Sequence, residues 1–567
     1  MKSMKYFIYF SALALVVFSC GPTTERLVTK EHDEDITVST TWGEGTHIIT
    51  GEINVNATLI IAPGSIIKFE KGAGLLIGYG GEGTLIADGT IEKPITFTSA
   101  ATAPAAGDWD YIWFDDGTTP NSSMTHCIIE YGGGYTYSGM VHLEGSNITI
   151  ENTVIQYSAR QGVSTDDDGY FNSFENNTIV NCDGNPIKIE ANWAHTIGTG
   201  NTITTNKGIL VDAGYYMQSE ETWLMQTCPY ILDGELNIGE ESGATLIIEP
   251  GTEIQFTEGS GILVGYGSNK FGTIIAEGTT EKPITFTSSA STPSPGDWDY
   301  IWFDDGTMAT TSFKNCIIEY GGGYSYSGMV HLEYASVSFD NCTFQYSSDI
   351  GVSLDEGYFA SFTGNTITEC ATYPIEIDGN YAHTIGTGNT ITTTKGILVN
   401  DDDFVEENET WLKQTCPYII KGQLSIASES GSTLTIEPGT TIWFTEGSGI
   451  MVGYGSSKYG KLIANGSSET ITFTSAAPTG GKSAGDWEYI WFDDGTMSGT
   501  ILNACTIEYG GGYAYSGMIH CDNTNEPTIT NNTIQYSANH GISIDNCAPT
   551  VSGNTFNNIT GNDIYTQ

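Results

Sequence analysis

Apolar side chains recur along the chain in pairs separated by one residue. The pairs Ile112/Phe114, Val141/Leu143, Val163/Thr165, Ile187/Ile189 and Ile209/Val211 begin 29, 22, 24 and 22 residues apart. Alternation with a period of two is typical of a β-strand with one buried face. Gly and Asn between the pairs suit tight turns. The pattern therefore predicts an all-β chain in which a short strand returns once per turn of a solenoid.

A much longer repeat divides the chain into three units. GDWDYIWFDDGT begins at Gly107 and Gly296, and GDWEYIWFDDGT begins at Gly485, so the spacing is 189 residues both times. IEYGGGY follows in each unit, and TW recurs at Thr41, Thr222 and Thr410. The segment AHTIGTGNTIT occurs at Ala194 and Ala382 without a third copy. We therefore predict units at residues 42–221, 222–409 and 410–567, the third one truncated.

This periodicity resembles the right-handed parallel β-helix family with pectate-lyase-like coils, over about residues 42–567. The segments GEL from Gly234, LIIEPGT from Leu246 and ITFTS from Ile284 also resemble the repeat lipoproteins of the Bacteroidetes type. The resemblance implies a single-stranded right-handed parallel β-helix solenoid of roughly 22 coils, about 110 Å long. Lyases, hydrolases, adhesins and inert stalks share this scaffold, so the fold alone assigns no activity.

The N-terminus has the features of an export signal. Two lysines precede an apolar stretch from Tyr6 to Phe18, and the segment ends VVFSC at Cys20. This ending resembles a bacterial lipobox, which implies a signal peptide at residues 1–19 and a diacylglyceryl anchor on Cys20; a plain signal peptide is the alternative. Residues 20–41 are polar after the cysteine and are predicted to form a tether. We expect a lipid anchor in the outer membrane, with the rod on the cell surface or on the periplasmic face.

The charge of the chain excludes one class of partner. With 68 Asp and Glu against 19 Lys and Arg, the formal net charge is −49. Nucleic acids are bound largely through Lys and Arg, so a nucleic-acid partner is not expected. The membrane is expected as a partner through the lipid, together with a polysaccharide or a surface protein.

Acidic residues fall at the same position of successive coils. Because a parallel β-helix stacks such positions about 4.8 Å apart, they should form a column on the outer face. The candidate metal ligands in it are Asp115, Glu144, Asp166, Glu190, Asp304, Glu333, Asp355, Asp378, Asp493, Asp522 and Asp545. Bare carboxylates this close repel one another, so Ca²⁺ between the coils is a candidate cofactor. The alternative is that each acid caps the turn after its strand.

Aromatic residues and histidines also repeat at equivalent positions. The parity of the IWF strand predicts that Trp109, Tyr111 and Trp113 point outward. The candidate ligand-binding set is Trp109, Tyr111, Trp113, Tyr135, Tyr137 and His142, then Trp298, Tyr300, Trp302, Tyr324, Tyr326 and His331, then Trp487, Tyr489, Trp491, Tyr513, Tyr515 and His520. Exposed rings beside carboxylates suit the apolar faces and hydroxyls of sugars. The alternative is that the rings pack under a loop, and the histidines are expected on a solvated face.

No catalytic set recurs in all three units. A polysaccharide lyase needs a strong base, and Arg160 aligns with Asp349 and Asn539, while Lys188 aligns with Glu376. A glycoside hydrolase needs two carboxylates at a set distance, and the acidic column offers many such pairs. We therefore favour a non-catalytic rod that binds glycan or a protein, with three weak sites giving avidity. The alternatives are a lyase or hydrolase on this scaffold and an inert stalk.

Cys316 and Cys342 lie one coil apart in the same column. Stacked coils would bring their sulfurs within bonding reach. An exported protein permits a disulfide, and two buried thiols are the alternative.

If the acidic column holds Ca²⁺, the metal should stabilise the folded chain, because a ligand that binds only the native state raises the unfolding midpoint. We expect a midpoint several degrees higher in millimolar Ca²⁺ than in excess EDTA, measured by thermal unfolding of the mature chain carrying Cys20→Ser. An unchanged midpoint would dismiss the Ca²⁺ hypothesis, and Mg²⁺ at the same ionic strength is the control.

Overall fold

The computed structural model describes residues 29–214, 216–400 and 404–567. These residues contain 61 β-strands, and the pairings between neighbouring strands are parallel. Distributed over three faces, the strands make about 20 turns, close to the predicted 22, and a rod about 100 Å long at about 4.8 Å per turn. The predicted all-β solenoid is confirmed. Cys20 and the signal peptide lie outside the described residues.

One continuous hydrophobic core fills the rod from Ile36 to Ile544. Each strand turns alternate residues inward, as in Ile301 and Phe303 around Trp302. Polar groups also stack inside: the Asn365 amide accepts from the Cys342 backbone N–H at 2.8 Å and donates to the Phe339 carbonyl at 2.9 Å. The equivalent Asn177 and Asn532 bind their neighbouring turns in the same way. These bonds satisfy backbone groups at corners that a strand ladder does not reach.

Three sheets form the faces of the first unit. Sheet 1 contains Thr29–His32, Thr46–Ile49, Ile66–Phe69, Ile95–Ser99, Cys127–Glu130, Val154–Gln156, Thr178–Val180 and Thr202–Thr204. Sheet 2 contains Glu52–Val55, Gly74–Ile77, Ile112–Phe114, Val141–Glu144, Val163–Asp166, Ile187–Glu190, Ile209–Asp212, Tyr230–Asp233, Glu253–Phe256, Ile284–Ser288, Cys316–Glu319, Thr343–Gln345, Thr366–Thr368 and Thr390–Thr392. Sheet 3 contains Thr40–Trp42, Thr58–Ile61, Thr84–Asp88, Ser123–Thr125, Asn147–Glu151 and Tyr170–Glu175.

Four further sheets complete the second and third units. Sheet 4 contains Tyr216–Met217, Glu235–Ile238, Gly261–Val264, Ile301–Phe303, Val330–Glu333, Val352–Asp355, Ile375–Ile377, Ile397–Val399, Tyr418–Ile420, Thr441–Phe444, Ile471–Ser475, Cys505–Glu508, Thr533–Ser537 and Thr555–Ile559. Sheet 5 contains Glu220–Trp223, Ala244–Ile248, Gly272–Glu277, Ser312–Lys314, Ser336–Asp340 and Tyr358–Thr363. Sheet 6 contains Phe404–Val405, Gln423–Ile426, Gly449–Val452, Ile490–Phe492, Gly517–Asp522, His540–Asp545 and Ile564–Thr566. Sheet 7 contains Asn408–Trp411, Ser432–Ile436, Gly460–Asn465, Ile501–Asn503, Thr528–Thr530 and Thr550–Ser552.

Equivalent strands of the three units lie on different faces of the rod. The IWF strand is in sheet 2 in the first unit, in sheet 4 in the second and in sheet 6 in the third. The chain visits sheets 1, 2 and 3 in each turn of the first unit, then 2, 4 and 5, then 4, 6 and 7. One unit therefore spans seven turns and one additional face.

Short 3₁₀ helices, Ala191–Thr196 and Gly379–Thr384, lie next to the two junctions between units. A buried glutamate faces a histidine of each helix: Glu221 lies 3.3 Å from His195, and Glu409 lies 3.4 Å from His383. In the described part of the chain, no helix has the length and apolar character needed to cross a membrane.

Candidate functional site

The outward positions stack in the register that the sequence predicts. In the second unit, Trp302 pairs with His331, His331 with Ser353, and Ser353 with Glu376. The first unit stacks Trp113, His142, Ser164 and Lys188 in the same order, and the third stacks Trp491, His520 and Ser543. Each unit thus carries a column in which tryptophan, histidine and serine follow one another on the outward side of successive turns.

The tryptophan of each GDW motif lies in the core, so the prediction that it points outward is wrong. Trp109, Trp298 and Trp487 are fully buried. The Trp298 ring stacks on Phe256 at 4.3 Å, and its N–H donates to the Glu319 carbonyl at 2.9 Å. The strand begins only at Ile301, so the alternation within it does not extend back to position 298. A Cβ on Gly321 would lie 2.6 Å from the Trp298 ring, so this glycine makes room for the indole.

The other aromatic residues of the candidate ligand-binding set form one cluster in each unit, at a corner of the rod. In the second unit, the Tyr324 ring lies 5.4 Å from Tyr300, 6.3 Å from Trp302 and 5.6 Å from Tyr326. Tyr324 is 38% exposed and Tyr326 is 81% exposed. Tyr135 and Tyr137 in the first unit and Tyr513 and Tyr515 in the third have the same arrangement. The glycine-rich loop therefore presents one half-covered and one open ring.

The tyrosine of the DYIWF or EYIWF segment is largely covered. Tyr111 and Tyr489 are buried, and Tyr300 is half-buried. The Tyr300 hydroxyl donates to Glu235 at 2.5 Å, Tyr111 donates to Glu52, and Tyr489 donates to the Gln423 side chain at 3.1 Å. Burial, together with Glu488 and Tyr513, raises the pKa of Tyr489 to about 12. These hydroxyls are donors that fix the rings in place.

The repeated histidines are buried, in contrast to the predicted solvated face. His142, His331 and His520 pack against the strand tryptophan, with ring centroids 4.2, 4.3 and 4.0 Å apart. Burial lowers the pKa of His142 and of His331 to about 4, so both rings are neutral at pH 7. The histidines do occupy the outward positions of their strands. They are not exposed to solvent, because neighbouring side chains on this tightly stacked face cover one another.

A serine one turn further on holds each of the first two histidines. His331 Nδ1 lies 2.7 Å from Ser353 Oγ, which also accepts the Gly328 N–H at 2.7 Å. The Gly328 N–H occupies one of the two acceptor positions of this hydroxyl, and the hydrogen bond to Ser353 holds the imidazole in place. His142 and Ser164 repeat this pair at 2.7 Å. In the third unit, His520 Nε2 instead lies 3.5 Å from Asp545.

A groove of about 390 Å³ runs beside this column in the second unit. Its lining includes Tyr326, Ser327, His331 and Ser353, together with three carboxylates. Those carboxylates belong to Asp349, Asp355 and Glu376. Sequence analysis named Asp349 and Glu376 only as departures from the first unit. Their role in lining the groove depends on which turns become neighbours.

The charge at the groove differs between the units. Arg160 and Lys188 stand in the first unit where Asp349 and Glu376 stand in the second. Lys188 Nζ lies 2.8 Å from Asp166 and 3.9 Å from Asp212, so its charge is largely compensated. In the third unit Asn539 and Tyr565 take these positions. Tyrosine, serine, histidine and one aspartate occupy the equivalent positions of all three units, and we call this set of positions the groove of each unit.

Carboxylates of the acidic column accept hydrogen bonds from turn amides. Asp304 accepts the Asp305 N–H at 2.7 Å and the Gly267 N–H at 3.2 Å, and Asp378 accepts the Glu356 N–H at 2.7 Å. Burial, followed by Asp304 and Asp355, raises the pKa of Glu333. Within the described ranges, no group of three or more His, Cys, Asp or Glu side chains is placed to hold a metal ion. Ca²⁺ stays a prediction.

The cysteines of the described chain are free thiols, including the buried Cys316 and Cys342. The pKa of Cys316 is raised, mainly by burial and then by Cys342. Its thiol donates to the Ala276 carbonyl at 3.1 Å. Both thiols act as apolar filling in the core.

Two family models match the chain. Residues 67–222 match the model described as a right handed beta helix region, and residues 214–349 match the model described as a pectate-lyase like beta helix domain. The fold is a single-stranded right-handed parallel β-helix, and residues 214–349 are similar to the pectate-lyase-like β-helix domain. The matches cover the groove of the first unit, and in the second unit they include Tyr326 and His331 but end before Ser353 and Glu376. No curated protein shows significant similarity to this β-helix.

Burial of His331 should make the β-helix less stable in acid. Between pH 6.5 and about 4 the unfolded chain binds a proton at this residue and the folded chain does not, so stability falls as the pH falls. The full loss is about 3 kcal/mol per histidine. We expect His331→Gln to flatten the dependence of the urea midpoint between pH 7 and pH 5.

Ser353→Ala is the matched control, because it removes the partner of His331 and keeps the buried imidazole. This variant should retain the wild-type slope of midpoint against pH. Equal slopes in wild type and His331→Gln would show that the imidazole is not the group that titrates.

Proposed function

We propose that this β-helix is a non-catalytic rod that binds neutral glycans through the groove and tyrosine rim of each unit. The observation that carries the proposal is the open ring of Tyr137, Tyr326 or Tyr515 beside a groove lined by polar side chains. Sugar rings stack their apolar face on an aromatic ring and hydrogen-bond their hydroxyls to carboxylates and serines. The three tyrosines have exposures of 80%, 81% and 84%.

A rigid scaffold supports this assignment. The half-covered Tyr324 lies between Tyr300, whose hydroxyl is held by Glu235, and the open Tyr326. Rings that are already in place lose little conformational freedom when a ligand binds, which favours affinity from few contacts. The same support recurs in each unit, although Gln423 replaces the glutamate in the third.

Neutral glycans fit the charges better than uronates do. The net charge of −49 repels polyanions, and the groove of the second unit adds three carboxylates. The groups shared by all three grooves carry a single acid and a neutral histidine. A catalytic site repeated in every unit would need one base common to the grooves, and the residues at positions 160, 349 and 539 differ in charge.

Binding is tested with the mature chain carrying Cys20→Ser and three neutral polysaccharides: mixed-linkage β-glucan, xylan and galactomannan. We expect micromolar to millimolar binding to at least one of them by affinity electrophoresis. The triple variant Tyr137→Ala, Tyr326→Ala, Tyr515→Ala should weaken it about tenfold, since a lost aromatic contact costs roughly 0.5–1.5 kcal/mol per groove.

The matched control replaces Tyr79, Tyr266 and Tyr454 by alanine. These tyrosines are also repeated and more than half exposed, but they do not line the groove of the second unit. The control should bind like wild type. Equal weakening by both triple variants would contradict a specific groove, and new reducing ends or unsaturated products in the mixture would favour a hydrolase or a lyase.

We propose further that a lipid on Cys20 holds the rod at the outer membrane. The predicted tether at residues 20–41 is shorter than expected, because the rod already begins with the strand Thr29–His32, and Ile36 lies in its core. Expression of Cys20→Ser in the native host should move the protein from the membrane fraction to the soluble fraction and abolish incorporation of labelled palmitate. Ser19→Ala leaves the cysteine in place and should stay in the membrane. A Cys20→Ser protein that remains membrane-bound would refute the anchor. Protease added to intact cells then distinguishes the surface from the periplasmic face.

A further inference from the structure

The three grooves open on three different faces of the rod. The IWF strand that starts each site lies in sheet 2, sheet 4 and sheet 6 in turn. Sheet 4 occupies the face that sheet 3 forms in the first unit, because both follow sheet 2 along the chain. In the third unit, sheet 6 follows sheet 4 along the chain just as sheet 1 follows sheet 3 in the first unit. Sheet 6 therefore occupies the face that sheet 1 forms in the first unit. No two grooves share a face.

Each groove runs along the rod. Its lining in the second unit passes from His331 through Ser353 to Glu376, and these residues belong to three successive turns. A glycan strand in the groove would therefore lie roughly parallel to the rod axis. Sites of consecutive units are seven turns and one face apart, which corresponds to about 35 Å along the axis.

A strand that continues straight along one face does not meet a second tyrosine cluster. Beyond Lys188, the column of sheet 2 continues through Leu210, Ile231 and Gln255, which line a separate cavity of about 460 Å³ without a tyrosine. That part of the sheet belongs to the second unit, whose aromatic cluster stands on the next face. To reach it, an extended strand would have to bend around a corner of the rod between the two sites.

We infer that the three grooves bind separate glycan strands, so that one rod cross-links a neutral polysaccharide. The inference rests on the proposed function and replaces the expected avidity for one strand. Avidity requires that linked sites engage one ligand at the same time, and it is lost where the geometry forbids this. Three sites pointing in three directions instead favour bridging between strands.

The test compares chains that differ only in the number of intact grooves. Wild type has three; Tyr326→Ala with Tyr515→Ala leaves the first groove, and Tyr137→Ala with Tyr326→Ala leaves the third. Each is mixed with the same three neutral polysaccharides, and binding and solution viscosity are measured over a range of protein-to-polysaccharide ratios. All substitutions are at exposed rings, so we expect the fold to be retained.

Cross-linking predicts that wild type raises the viscosity, with a maximum at an intermediate ratio and a decline in excess protein. The one-groove variants should keep one groove within about threefold of the wild-type affinity, and at concentrations where their weakened grooves are largely empty they should not raise the viscosity. A tetrasaccharide of the bound polysaccharide should fill three equal sites per wild-type chain, but one such site and two sites about tenfold weaker per one-groove variant.

Other outcomes overturn the inference. Binding by wild type that is at least a hundredfold tighter than that of the one-groove variants, without a viscosity maximum, would show that one strand occupies several grooves. A viscosity increase with one-groove variants would show that self-association causes the bridging. No binding to any of the three polysaccharides would refute the proposed function itself, which separates that failure from binding without bridging.

Discussion

The hydrogen-bond ladder between parallel strands places every turn directly above the previous one, and the rest of the molecule depends on this stacking. It converts residues 22 to 29 positions apart in the sequence into neighbours about 4.8 Å apart. Trp302, His331, Ser353 and Glu376 form a column only for this reason. The same ladder carries the groove across several turns, so the site is as rigid as the rod.

Packing between turns decides which of the aromatic residues remain available. Trp298 fills the core beside Phe256, and Gly321 leaves the space that its ring needs. The glycine-rich loop then passes over the buried indole and turns Tyr324 and Tyr326 outward. The GDW and GGGY motifs are therefore parts of one structure: the first supplies the buried support, and the second supplies the exposed rings.

Burial outweighs charge at the repeated histidines. Asp355 and Asp304 both favour a protonated His331, yet desolvation is the larger effect and lowers its pKa to about 4. The neutral ring shares a hydrogen bond with Ser353 instead of acting as a cation among the acids. For Glu333, burial and the neighbouring acids act in the same direction and raise its pKa. The column tolerates its acids because turn amides bind several of them.

Sequence patterns were sufficient to predict the strand repeat, the three units, the solenoid and the register of the outward columns, because a period of two and a recurring turn length are local properties. The predicted exposure of Trp298 and His331 was wrong, since the residues that bury them belong to turns that are distant along the chain. The direction of each groove was also decided only in the tertiary structure. The length of a 189-residue unit does not reveal how many faces of the rod the unit crosses. The folded chain shows that one unit spans seven turns and one additional face. That additional face rotates each copy of the site relative to the last.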